Sequence, residues 1–156
     1  VSKVYDRATL ADAIESAFKE DSQIIIESFL DGTEVSVGVI TFNNEVTVLP
    51  ATEIISENDF FDFEAKYLGK SQEITPARIS EKQESNVRQL AEFIYKTLEL
   101  KGYTRSEFIF IGDEPHLLEI NTTPGLTEES LLPQQAKTAG ITLEELFDSA
   151  IVEALR

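Results

Sequence analysis

The chain has 156 residues, with 29 Asp and Glu against 13 Lys and Arg and a net charge of −16; that length suits one domain, and the acidic excess argues against nucleic acid or an anionic membrane surface as a partner, since both are held by clustered Lys and Arg. It has no Cys and one His, His116, which excludes disulfides, Cys-ligated zinc and multi-His metal sites, while 42% hydrophobic residues and ten Phe suffice for a packed core. No apolar run approaches the roughly 18 residues of a membrane span, and the start does not resemble a signal peptide. The absence of Met leads us to expect a processed or truncated piece of a longer protein, with removal of an initiator Met as the alternative.

Thr9 with Asp12 three residues on has N-cap spacing, and Leu10, Ala13, Ile14, Ala17 and Phe18 recur at helical intervals. This predicts a helix over 9–20. Gln23 to Leu30 is a β-branched run ending at the turn pair Asp31-Gly32 and reads as a strand. Val35, Val37 and Val39 mark a second strand, Asn43-Asn44 a hairpin, and Val46 to Leu49 the return, with Thr52 to Ile55 extending the sheet. Residues 57–76 lack a clean period and are expected to be a long functional loop. Ser80 and Gln83 form a capping-box pattern before Val87, Leu90, Ala91, Ile94 and Leu98, a helix ending near Gly102. Strands are predicted at Tyr103 to Ile111 and Pro115 to Ile120, then a Gly/Pro loop, then helices from Leu131 to Ala139 and from Leu143 to Leu155, the last capped by Thr142 with Glu145. The order predicts an α+β fold with a mostly antiparallel sheet flanked by helices.

The chemistry is concentrated in Arg105-Ser106-Glu107-Phe108 and Glu119-Ile120-Asn121-Thr122-Thr123-Pro124-Gly125. If the strands close through a three-residue turn at 112–114, Ile111 faces Pro115, Glu107 faces Glu119 and Arg105 faces Asn121. Arg105, Glu107, Glu119 and Asn121 then share one face, since strand side chains alternate with period two. Phe108, Phe110, Leu118 and Ile120 take the core side, and His116 falls on the wrong parity for the site. Two like charges opposed across strands repel, so a cation belongs between them. Two carboxylates and an amide oxygen are hard ligands suited to Mg²⁺, which keeps water or substrate phosphate as its other ligands. Arg105 beside them suits a phosphoryl oxygen or a developing oxyanion. The Pro124-Gly125 turn leading to Ser130-Leu131 suits a helix N-terminus that binds an anion. Weaker signals are Glu27, Ser28, Leu30 and Glu34 as a nucleotide-binding strand end, and Lys66 with Tyr67 as a lid. The same residues also fit a solvated strand face, an ordinary loop capped by Thr127, an ordinary strand and turn, and an apolar patch tucked onto the core.

The stretches Phe61-Asp62-Phe63-Glu64-Ala65-Lys66-Tyr67 and Glu119-Ile120-Asn121-Thr122-Thr123-Pro124-Gly125-Leu126-Thr127, with Ser130-Leu131, resemble the D-alanine–D-alanine ligases of the ATP-grasp superfamily. The resemblance covers nearly the whole chain, but only the C-terminal half of a typical member. It implies the ATP-grasp C-terminal catalytic domain over 1–156, and ATP-dependent joining of two D-alanines through an acyl phosphate for peptidoglycan precursors. By resemblance, Glu27, Ser28, Leu30 and Glu34 bind adenine and ribose, and Lys66 binds phosphates. Glu107, Glu119 and Asn121 hold two Mg²⁺ ions, with Mn²⁺ as the alternative metal. Arg105 and the Gly125 N–H stabilise the oxyanion, Ser130 and the Leu131 N–H take the second substrate's carboxylate, and Tyr67 closes over it. A cytoplasmic homodimer is implied for the full protein.

Two departures stand out. Glu107 replaces the family's usual Asp, and Ser28 replaces a frequent Lys. Val1 falls just after the family's glycine-rich loop, so the first-substrate domain and upstream ATP-binding lysines are missing, and this piece alone is expected to be inactive as a ligase. The competing readings are another ATP-grasp carboxylate–amine ligase, a nucleotide- or metal-binding module without catalysis, and a structural dimerisation piece.

Overall fold

Val35, Val37 and Val39 alternate with Ser36 and Gly38, and this pattern builds the central strand. The computed structural model describes residues 1–56 and 71–155. A 3-10 turn at Arg7–Thr9 leads into α1 (Leu10–Ala17). Four strands follow: β1 (Thr33–Phe42), β2 (Glu45–Val48), β3 (Thr52–Ser56) and β4 (Ser71–Ile74). Then come α2 (Glu81–Thr97), β5 (Tyr103–Ile111), β6 (Glu114–Asn121), α3 (Leu131–Thr138) and α4 (Leu143–Ala154). The strands form one antiparallel sheet in the order β4-β3-β1-β5-β6, and β2 lies beside the second half of β1. The predicted α+β architecture is therefore the observed one.

Local signals explain most element boundaries. Asn43 and Asn44 have φ of 50° and 69°, the left-handed pair that a two-residue hairpin needs to match strand twist. Ser80 accepts from the Gln83 N–H while the Gln83 side chain accepts from the Ser80 N–H, so the predicted capping box forms. Thr142 and Glu145 build a second one at α4. At the first helix, Asp6 rather than Thr9 provides the side-chain cap, accepting from the Ala8 N–H at 2.9 Å.

Two expectations are corrected. Gln23 to Leu30 is not a strand, and Ile25 and Ile26 are exposed. β-branched composition favours a pleated, half-buried surface, but a strand exists only where a neighbour pairs with it, and no strand among the described residues does. Conversely, the end of the predicted loop 57–76 contains β4, which pairs with β3 from Glu53↔Ile74 to Ser56↔Ser71.

The two faces of the sheet are covered differently. On one face Val35, Val37, Val39, Phe108 and Phe110 pack against Val87, Ala91 and Tyr95 of α2. Burying each such aliphatic or aromatic side chain contributes about 1.5–3 kcal/mol. On the opposite face, Ile40 and Leu49 pack against Leu132 and Ala136 of α3, together with Ile141 and Leu146. Phe42 and Tyr103 border this second cluster. Along the same face, past Tyr103, lie Arg105 and Glu107.

Candidate functional site

The β5–β6 hairpin carries the site, and α2 holds its turn. Gln83 Nε2 donates to the Gly112 carbonyl at 2.8 Å, Asn86 Nδ2 donates to the Asp113 carbonyl at 2.9 Å, and Lys82 pairs with Asp113 at 2.8 Å. The turn is the two residues Gly112 and Asp113, one shorter than expected, with Gly112 at φ 63°. Ile111 therefore faces Glu114, Ile109 faces His116 and Phe108 faces Leu117. A β-bulge between Glu107 and Phe108 then restores the register: Glu107 faces Glu119 and Arg105 faces Asn121, as the alternation predicts.

The bulge overturns two smaller expectations. Opposed residues share a face, so His116, opposite Ile109, lies on the side of Arg105 and Glu107 rather than away from them; it is exposed. Leu118 has no opposite number and is 45% exposed instead of entering the core, because the extra residue of a bulge leaves the ladder.

Burial along β5 alternates without a break, with Thr104, Ser106, Phe108 and Phe110 buried and the odd-numbered residues partly open from Tyr103 to Ile109. Arg105 Nη2 lies 3.0 Å from Glu107 Oε1, and their side chains are 12% and 15% exposed. Arg105 Nε is buried and has no hydrogen-bond partner among the described residues. A buried guanidinium N–H is costly to leave unpaired, so this atom fits an anionic ligand. Glu34 sits on the same face: it faces Ile109, two residues along β5 from Glu107.

Glu73 of β4 also belongs to this face, since it faces Ile54, which faces Glu34. Burial pushes its carboxyl above the usual carboxylate range, and the Arg105 charge pulls the other way. Sequence reading missed Glu73 because a four-residue strand gives too little periodicity to separate from a loop.

The loop after Asn121 brings a second group together. Asn121 Oδ1 accepts from the Thr123 N–H at 2.9 Å. Ser130 is the N-cap of α3, with its N–H on the Thr127 carbonyl at 2.8 Å and its hydroxyl 2.9 Å from Thr127 Oγ1. A Cβ placed on Gly125 would lie 2.7 Å from Ser130 Oγ. Gly125 and Ser130 are thus in close approach, and Leu131 opens the helix. First-turn N–H groups have no intrahelical acceptor and favour anions.

The remaining expected residues are not gathered in the same way. Glu27 and Ser28 are exposed and Leu30 is half-buried, in a segment outside the sheet. Lys66 and Tyr67 lie outside the described residues.

A family model described as D-ala D-ala ligase C-terminus matches residues 1–152. The chain belongs to this family. It is 64% identical to a D-alanine–D-alanine ligase of Flavobacterium johnsoniae over 97% of this chain and 47% of that protein. Among solved structures, D-alanine–D-alanine ligase from Bacillus anthracis complexed with ATP superposes with a TM-score of 0.81 at 29% identity, over 98% of this chain and 48% of that one. The VanG D-Ala:D-Ser ligase from Enterococcus faecalis also gives 0.81, at 33% identity, over 94% of this chain and 43% of that one. The chain spans about half the length of the curated relatives it matches.

Among the described residues no three His, Asp or Glu side chains converge on a metal position. Mg²⁺ is commonly bound by one or two carboxylates plus substrate phosphates, so the opposed Glu107 and Glu119 with the Asn121 amide fit that ion rather than an all-protein cage. No helix among the described residues is long and apolar enough to cross a membrane.

Proposed function

We propose that residues 1–156 form the C-terminal catalytic domain of an ATP-dependent ligase that joins two D-alanines into a dipeptide through an acyl phosphate, for peptidoglycan precursors. The observation that carries this reading is the bulged β5–β6 register. It sets Glu107 against Glu119 and Arg105 against Asn121, just before the loop that presents Gly125 and the start of α3. In this reading Glu107, Glu119 and Asn121 hold Mg²⁺, with Mn²⁺ as a substitute, and the metal would neutralise phosphate charge. Arg105 and the Gly125 N–H stabilise the negative charge that develops on the reacting carbonyl oxygen. Ser130 and the Leu131 N–H orient the carboxylate of the second substrate. Glu27, Ser28, Leu30 and Glu34 bind adenine and ribose, Lys66 binds phosphates and Tyr67 covers the acceptor. A cytoplasmic homodimer belongs to the same reading.

A second reading changes only the acceptor, and the similarity to a D-Ala:D-Ser ligase favours keeping it. The test is phosphate release and product analysis with the full-length protein, ATP and Mg²⁺. D-Alanine-dependent phosphate release with D-alanyl-D-alanine as the product supports the proposal. Preference for D-serine as acceptor would move it to the second reading, and ATP turnover indifferent to D-alanine would overturn both.

A further inference from the structure

β1 changes partners along one edge. Its first half pairs with β3 up to Ser36↔Thr52, and its second half pairs with β2 from Val39↔Val48. Val37 and Gly38 therefore have no strand opposite them on that edge. The Leu49 N–H donates to the Gly38 carbonyl at 2.8 Å, and a side chain from α3 meets the groups that remain. Gln135 is fully buried. Its Oε1 accepts from the Gly38 N–H at 2.9 Å, and its Nε2 donates to the Ser36 carbonyl at 2.8 Å and to Thr52 Oγ1 at 2.9 Å. Thr52 in turn bonds Thr75 Oγ1 at 2.6 Å. One amide thus supplies the donor and the acceptor that a neighbouring strand would have supplied.

The contact depends on close approach. A Cβ on Gly38 would fall 2.6 Å from both Gln135 Oε1 and Leu132 Cδ1, so only glycine lets α3 sit this near the sheet. Gln135 lies one turn beyond Leu131 on the same side of the helix, and both are buried. On the sheet, Ser36 is the residue opposite Glu107. The amide therefore stands between the start of α3 and the strand pair that carries Glu107.

We propose that Gln135 is a positioning residue, which fixes the rotation and height of α3 on β1 and thereby the placement of Ser130 and the Leu131 N–H relative to Arg105 and Glu107. The inference rests on the ligase reading, in which the start of α3 holds the acceptor carboxylate. An apolar side chain of equal length would keep the packing but leave the Gly38 N–H and the Ser36 carbonyl unpaired in the interior, and the helix must shift to let them find other partners.

The test is steady-state kinetics of Gln135→Met in the full-length protein, with separate KM values for ATP and for the acceptor D-alanine. Small displacements of a binding group far from the chemistry weaken productive binding strongly, so the acceptor KM is expected to rise about ten-fold or more while the ATP KM stays within about two-fold. Gln135→Asn keeps the amide but shortens its reach by one methylene, so it cannot span the Gly38 N–H and the Ser36 carbonyl, and it carries the same test where the Met variant does not fold. Val87→Ala, in the separate core between α2 and the other face of the sheet, is expected to lower the thermal midpoint without touching α3 and serves as the control for general destabilisation. Equal changes in both KM values, or the same split in Val87→Ala, would overturn the positioning role. A wild-type protein without D-alanine-dependent turnover would instead remove the ligase reading, and the positioning role with it.

Discussion

Arg105 occupies the middle of an acidic face. Glu107 is 3.0 Å away, Glu73 is within its electrostatic reach, and Glu119 faces Glu107 across the hairpin. The guanidinium pairs with Glu107 and lowers the cost of charge on Glu73, and its buried Nε has no hydrogen-bond partner among the described residues. If Arg105 acts as proposed, replacing it with Ala in the full-length protein lowers kcat by about 10²- to 10³-fold, the scale for losing one donor to a developing oxyanion. Phosphate release under saturating substrates checks this, and an unchanged kcat would remove Arg105 from the chemistry. Glu73 supports a prediction about stability. Its folded carboxyl is held up by burial, so its favourable contribution is complete below the unfolded pKa and is lost as pH rises through the folded value. Glu73→Gln should therefore gain thermal midpoint relative to wild type as pH rises from about 4 to 7, the window above an ordinary Glu. Parallel midpoint-against-pH curves for the two proteins would contradict this. That Arg105, Glu107, Glu119 and Asn121 share one face was legible from alternation together with an assumed turn length, which was one residue too long and was offset by the bulge. Glu73 and Gln135 were not, because their roles come from elements distant in sequence meeting on one face.

At the level of elements, local chemistry was the most legible part of the chain. A capping box needs only four residues, and both Ser80 with Gln83 and Thr142 with Glu145 form as read. Ser80→Ala removes the acceptor for the Gln83 N–H and should destabilise the chain by about 1 kcal/mol. For a chain of this size that is a fall of about 2–4 °C in thermal midpoint. The effect should add to that of Thr142→Ala, since the two caps share no partner; scanning calorimetry of the double variant checks both points. Non-local pairing was legible only in part. The run from Gln23 to Leu30 has strand composition without a described neighbour, while Ser71–Ile74 has little pattern and pairs with β3. The hairpin shows why a register can come out right at the site through a wrong turn. A two-residue turn shortens the pairing by one residue, and the bulge beside Glu107 returns it. Turn length and bulge are both set by how α2 and the core receive the hairpin, which no single-strand periodicity encodes.

The whole molecule carries a net charge of −16, and its sheet is sealed on one face by α2 and partly covered on the other by α3 and α4. The partly covered face is where Glu34, Glu73, Glu107 and Glu119 collect. Folding must hold these carboxylates together against their repulsion, so a ligand that neutralises them stabilises the native state by mass action. Mg²⁺ with a non-hydrolysable ATP analogue is therefore expected to raise the thermal midpoint of this chain. Saturation at about a hundred times Kd corresponds to about 2.7 kcal/mol. General screening of so acidic a protein also raises the midpoint, and NaCl at matched ionic strength measures that part, since exposed charges respond to ionic strength alone. What remains above the salt control belongs to a site. Glu119→Gln keeps the strand and its pairing but removes one of the two opposed charges, so it should raise the midpoint without ligand and shrink the Mg²⁺-dependent increment. An increment equal in wild type and Glu119→Gln would place cation binding elsewhere on the acidic surface. No increment above salt in either protein would mean that this chain holds too little of the nucleotide's binding surface to retain it, leaving that affinity to residues outside 1–156.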